Sequence, residues 1–390
     1  MSLRGSIIRQ LVIAPATLAD LQLVSHVSLP TLRKAIQELI DTRWIRVVGQ
    51  AETNGGRPAM LFGIDDGYFQ IVGIHLQLPG VRFITTSLTG EIVNEAYIFR
   101  GIVPTPGQVA QAATDYVARI RASHPDRMVL GIGIATPGFT DPSTGDILSI
   151  GRVSGWYNFP ICRRLHDSTG IPVYIANDID CMALAEFRHT HQPLDRNLAY
   201  VGFDEGVKVS LFIRGELYQS SLGNAGLISG DLLHVRDIDD REEMKSLLTI
   251  IGVNRLFEQR LLALDTADRQ PYSAILAAGG QRERFRLIFN GAVAGLPVCH
   301  DIVQALIRSL AAAIADVIYF VQPDITVIGG MLSLMPDDLF AELELAIGRY
   351  LPSLIHNNAI LRPARLSSSN SAAMGAVQHF LKNYPLEDTP

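Results

Sequence analysis

Four side chains near the start of the chain carry the first readable chemistry. Thr31, Arg33, Lys34 and Gln37 recur at helical spacing, opposite an apolar set of Leu29, Leu32, Ile36, Leu39 and Ile40. Cations so placed meet phosphate oxygens, and short hydroxyls or carboxamides reach base edges in a groove. An ordinary solvated face has the same spacing, so the surrounding elements must decide. Ser28 is placed to cap this helix, with Pro30 in the first turn, where its missing N–H costs nothing. Thr17 to Asp20 has capping-box spacing and opens a preceding helix to about Val24, and an earlier helix runs from about Gly5 to Val12. Trp44–Val48 and Arg57–Phe62, joined by a glycine-bearing loop, read as the two strands of a wing. Residues 1–64 therefore read as a winged helix-turn-helix. Its candidate DNA contacts are Ser28, Thr31, Arg33, Lys34, Gln37 and Arg57, the cations toward phosphates and Thr31 and Gln37 toward bases.

The charge distribution agrees. Residues 1–64 hold seven Arg/Lys against four Asp/Glu, whereas the rest holds 26 against 35, within a net charge of −6. A basic head on an acidic body fits a polyanion partner for the head alone. At 390 residues and 48% hydrophobic, the chain is a folded protein of two or three domains. Cys162, Cys181 and Cys299 are widely spaced, which argues against a disulfide framework and a thiolate zinc site. No apolar run approaches the roughly 20 residues of a membrane span. No signal-peptide layout is visible, so the expected location is cytoplasmic, with no membrane partner.

After Asp65 the pattern alternates strands and helices, an α/β body. Strand candidates are Gln70–Ile74, Arg82–Ser87, Met128–Ile134, Val173–Ala176, Leu198–Val201, Val207–Arg214 and Ile325–Ile328. Helix candidates are Pro106–Ser123, Cys181–Thr190, Asp301–Val321, Pro336–Tyr350 and Ser371–Asn383. The stretches 70–123 and 198–234 open alike, an echo that implies two lobes with a cleft. The expected divisions are 1–64, then 65–185 with 371–390, then 186–370.

Eight motifs in order carry a family resemblance. They are Gly56-Arg57-Pro58, the hairpin 72–93, GIGIATPGFTDPSTGDI (Gly131–Ile147), GWYNFP (Gly155–Pro160), IANDIDCMALAE (Ile175–Glu186), RGELYQSSLGNAG (Arg214–Gly226), QPDITVIGG (Gln322–Gly330) and SAAMGAV (Ser371–Val377). Nearly end to end, the chain resembles the ROK group of repressors, open reading frames and kinases, in its repressor branch. The resemblance implies a winged helix-turn-helix followed by a two-lobed actin-like, ribonuclease-H-like body.

It also exposes losses. Kinases of this group hold ATP phosphates on two glycine-rich turns, because backbone N–H groups grip phosphate only where no side chain intervenes. Here those turns read His75-Leu76-Gln77-Leu78-Pro79 and Asp204-Glu205-Gly206-Val207-Lys208-Val209-Ser210, and Asp204 and Glu205 would repel a triphosphate rather than hold it. The group's Gly-Glu-x-Gly-His motif falls on Gly226–Gly230 without its Glu or its zinc-ligand His; Asp231 or His234 stand one or four positions on. No catalytic residue, metal or cofactor is expected. What remains implies an effector site: Asp178 facing a sugar hydroxyl, Asn177 beside it, Asn158 as a further contact, and Pro137, Gly138 and Asn224 at matched positions. Alternatively, Asn177-Asp178 is a strand-end turn capping a helix from Asp180. The leading reading is a transcriptional regulator, a repressor of carbohydrate-metabolism genes. Its partners would be double-stranded DNA, a sugar-type effector or a protein regulator, and one or more copies of itself as a homodimer or homotetramer. A sugar kinase with a divergent ATP site is the competing reading.

Overall fold

Side-chain caps fix the N-terminal helices. Ser2 accepts from the Gly5 amide and opens α1 (Leu3–Ile13), and Thr17 and Asp20 close a reciprocal capping box on α2 (Leu18–Ser25). Ser28 opens α3 (Leu29–Asp41), which buries Leu32, Ala35, Ile36 and Leu39. Leu29, expected on that buried face, is 39% exposed as the first residue of the helix. Strands β1 (Ala16–Thr17), β2 (Ile45–Gln50) and β3 (Met60–Ile64) form an antiparallel sheet in the order β1-β3-β2, with Ile45 opposite Ile64.

The computed structural model describes residues 2–52, 58–151, 153–190, 196–204, 206–220, 224–228, 247–366 and 369–386. They fall into two units, Met1–Ala176 with Ala376–Pro390, and Asn177–Gly375. The chain thus passes between units at 176/177 and 375/376, rather than at 185/186 and 370/371. The helix-turn-helix belongs to the first unit.

In the first unit, β4 (Phe69–His75), β5 (Val81–Thr86), β6 (Ile92–Ile98), β7 (Met128–Thr136) and β11 (Val173–Asn177) make a sheet ordered β11-β7-β4-β5-β6. Helices α4 (Pro106–Ser123) and α5 (Ile161–Thr169) contribute Val109, Tyr116 and Leu165 to a core with Val72, Ile74, Phe83 and Ile132. The last helix, α11 (Ser371–Asn383), packs on β7. A Cβ on Gly133 would stand 2.1 Å from the Ala376 carbonyl oxygen, so the glycines of the GIG run allow the helix to approach. Three short strands, β8 (Phe139–Asp141), β9 (Asp146–Ser149) and β10 (Tyr157–Phe159), form a small sheet, β10-β9-β8.

The second unit opens with α6 (Asp178–His189). Its sheet is ordered β14-β13-β12-β16-β17, from β12 (Leu198–Phe203), β13 (Val207–Ile213), β14 (Glu216–Leu217), β16 (Ile325–Gly330) and β17 (Leu361–Pro363); β15 (Leu227–Ile228) pairs with β13. Single helical turns aside, α7 (Ile250–Leu262), α8 (Gln281–Val293), α9 (Pro297–Val321) and α10 (Asp337–Gly348) are its other described helices. By length and composition α9 is apolar enough to cross a membrane, contrary to the sequence reading. Asp301, Arg308 and Asp316 interrupt its apolar run, and Ile302, Leu306, Leu310 and Ile314 are buried in the unit's core, where such a helix belongs.

Candidate functional site

The face expected to meet DNA is solvent-exposed: Thr31, Arg33, Lys34 and Gln37 all project outward from α3. Among the described residues neither Arg33 nor Lys34 has an ion-pair partner. Ser28 and Thr31 are engaged with one another, hydroxyl to hydroxyl at 2.8 Å, in capping the helix. Gln37 donates one of its two N–H groups to Asp41 Oδ1 at 2.8 Å, keeping the other N–H and Oε1 for a base edge. Arg57 lies outside the described residues. The head is seated on its unit by aromatic contacts: Trp44 is buried and stacks on Phe69 with centroids 4.1 Å apart, and the Arg43 guanidinium lies 4.1 Å over the Tyr68 ring.

The first phosphate-turn equivalent is filled from within. Leu76 and Leu78 are buried in the first unit's core, and His75 and Gln77 are buried with them. The Leu76 amide donates to the Ala135 carbonyl and the Gln77 amide to the His75 carbonyl, each at 2.9 Å; Pro79 has no N–H. The Leu76 and Gln77 amides are therefore spent, and Pro79 offers none, so the turn has lost most of the donors that would cradle a phosphate. At Gly80 the space belongs to the Tyr97 ring, whose Oη would lie 2.5 Å from an added Cβ.

The second turn is closed by two ion pairs that the sequence did not reveal. Asp204, nearly fully buried, pairs with Arg282 at 2.5 Å, so its charge is matched rather than left to repel, as the sequence reading had it. Lys208, also buried, pairs with Asp180, which accepts a second bond from Ser210 Oγ at 2.6 Å. Lys208 and Ser210 stand two apart on β13, hence on one face, and both reach the first turn of α6. Glu205 and the 229–234 stretch, with Asp231 and His234, lie outside the described residues.

The expected effector residues divide between the units. In the first, Gly138 sits at φ +81°, and a Cβ there would stand 2.2 Å from the Ser149 carbonyl oxygen. Tyr157 pairs with Ser149 in the small sheet, and Asn158 follows it, exposed and at φ +48°, a conformation asparagine tolerates better than most residues. The small sheet thus brings Gly138 and Asn158 around one residue, with Pro137 leading into the turn. In the second unit Asn177 and Asp178 adjoin at the head of α6. Both are buried, and both accept from the Ile179 amide, at 3.0 and 2.8 Å. Asn177 is the N-cap, so the helix starts at Asp178 and not at Asp180 or Cys181. Asn224 is half-buried beside Gly226, which the Val209 carbonyl approaches so closely that an added Cβ would lie 1.9 Å away. Burial pushes the Cys181 thiol well up and the Cys162 thiol to about 12, with the nearby aspartates adding to it, so neither offers a reactive thiolate.

Residues 72–236 and 270–383 match the model of the ROK family. The chain belongs to the ROK family. Among its relatives is a xylose repressor of Caldicellulosiruptor bescii, 22% identical over 326 residues, which are 80% of this chain and 78% of that one. The structure resembles that of a ROK family transcriptional regulator, a homolog of the E. coli MLC protein, with a TM-score of 0.78 at 20% identity over 97% of this chain and 95% of the other. It also resembles a ROK family glucokinase from Streptomyces griseus solved with glucose and AMPPNP, with a TM-score of 0.63 at 20% identity over 80% of this chain and 98% of the other. At such identities these likenesses speak to the fold. This ROK chain carries the helix-turn-helix ahead of the family body, as the near-complete overlap with the regulator reflects.

Proposed function

We propose that this ROK protein is a DNA-binding transcriptional regulator, a repressor of carbohydrate-metabolism genes, whose body no longer transfers phosphate. The observation that carries the reading is the exposed α3 face, with Arg33 and Lys34 unpaired among the described residues, on a head packed against the body. Such cations supply affinity by releasing counterions from the duplex. The spent Leu76 and Gln77 amides and the Lys208–Asp180 and Asp204–Arg282 pairs support loss of the kinase reaction. An effector with sugar-like hydroxyls would use Asp178 and Asn177 as hydrogen-bonding groups, with Asn158, Pro137, Gly138 and Asn224 as further candidates. A protein regulator in place of a sugar, and assembly as a homodimer or homotetramer on two half-sites about one helical turn apart, belong to the same reading.

The test is anisotropy of duplex fragments from upstream of the protein's own gene, across a salt series. Lys34→Ala should weaken binding and lower the log–log salt slope by about 1. A chain that ignores duplex DNA at low salt overturns the proposal. Turnover of Mg-ATP with any hexose of a panel would revive the kinase reading; the ion pairs and buried leucines lead us to expect none.

A further inference from the structure

The second unit holds a cavity of about 340 Å³ that neither the DNA face nor the effector residues use. That is the size of a small-molecule site, for which about 300–1,000 Å³ is usual. Val209 and Leu211 of β13 and Leu227 of β15 wall one side; Ala313, Val317 and Phe320 of α9, at the three-and-four spacing of one helix face, wall the other. Among its described lining residues the charged groups have one sign: Asp180 and Asp316 line it, with no Lys, Arg or His.

The two carboxylates differ in state. Lys208 and Ser210 both bond Asp180 Oδ1, and Oδ2 accepts no bond from the described residues. Asp316 is exposed and has no ion-pair partner among the described residues. The last turn of α9, ending at Val321, adds the partial negative charge of a helix C-terminus at one end of the cavity. At the mouth stand two aromatic rings, Phe320 at 83% and Tyr218 at 50% exposure, available to the face of a cation.

We infer that this cavity binds a small organic cation: a flat aromatic or alicyclic body held between β13 and α9, with an ammonium group directed to Asp316 and the free oxygen of Asp180. Apolar walls alone would take any hydrophobic guest. The two carboxylates, the helix end and the rings all act in the same direction, favouring cations and rejecting anions, with Lys208 offsetting part of the Asp180 charge. The site is chemically unlike one for a sugar, whose hydroxyls need dense polar walls.

Calorimetric titration of the full chain with three probes sharing an indole ring isolates the charge: tryptamine as cation, indole-3-ethanol as neutral, indole-3-acetate as anion. Tryptamine should bind about tenfold tighter than the acetate, with the alcohol between. Asp316→Asn should shrink that ratio about threefold, and Val317→Trp, which fills the cavity, should abolish tryptamine binding. Should Val317→Trp fail to fold, the exposed Phe320→Ala substitution serves instead, with affinity expected to fall several-fold. No tryptamine binding, equal affinity for the three probes, or binding unchanged in both variants would overturn the inference. So would a dimer that Phe320→Ala dissolves while no probe binds, because that result gives the surface to a second copy of the chain.

Discussion

Arg9 Nη1 donates to the Leu381 carbonyl oxygen at 2.8 Å, and Nη2 reaches that of Tyr384 at 3.5 Å, so a side chain of the first helix caps the end of the last one. Terminal helix carbonyls lack intrahelical partners, and a guanidinium is suited to satisfy two at once. With the Trp44–Phe69 stack, this contact ties the DNA head to the element packed on β7. Arg9→Ala should lower stability by about 1–2 kcal/mol in chemical denaturation. It should also raise amide exchange in α1–α3 more than in the body sheets. Unchanged exchange in the head would show that the capping bonds do not hold it.

The Lys208–Asp180 pair predicts an asymmetry. Lys208→Met strands a mostly buried carboxylate and should cost about 3 kcal/mol. Adding Asp180→Asn should restore more than about 1 kcal/mol of that loss. A double-mutant cycle by urea melts measures it, and strictly additive costs would mean the pair is not coupled.

Gly375 tolerates no side chain, because a Cβ would lie 1.7 Å from the Cys181 carbonyl oxygen. Gly375→Ala should cost about 3 kcal/mol or more, as it must push α11 from α6. Gly107 in α4 has open space around it, and Gly107→Ala should be neutral or gain about 0.5–1 kcal/mol. Thermal melts of the two variants give the comparison.

His379 supplies a pH dependence. Burial, with Lys382 nearby, pushes its pKa from 6.5 down to about 4, against a smaller upward effect of the hydrogen bond with the Ile175 backbone. The folded state thus holds the ring neutral where the unfolded chain would protonate it. The stability it supports is full above pH 6.5 and is lost as pH falls toward 4, by about 3 kcal/mol in total. His379→Leu should flatten the stability profile in that window, shifting stability by a pH-independent amount above pH 8 as the ring's hydrogen bonds are lost.

The head was largely legible in the sequence because its signals are local. Thr17 with Asp20, Ser28 with Pro30, and the apolar period of α3 each act within one turn. The body's long strands were legible for the same reason, from period-two or continuous apolar runs. Helices α5, α7 and α8 were not read, nor were the strands of the small sheet: a three-residue strand is too short to show a period. The start of α6 is hard to place from sequence because β11 runs straight into it, with Asn177 both ending the strand and capping the helix. Least legible were the charge matches. Asp204 meets Arg282 and Asp180 meets Lys208 only because the fold returns the chain to itself, and no short-range pattern marks either partner.

The 372 positions between Arg9 and Leu381 set an order of events during synthesis. The reading head leaves the ribosome well before the carbonyls that Arg9 caps are made. Until then a nascent chain can seat its head through the Trp44–Phe69 and Arg43–Tyr68 contacts but not through the Arg9 cap. A polypeptide stopped just short of Leu381 should therefore have a looser head, with faster amide exchange in α1–α3 than the full chain.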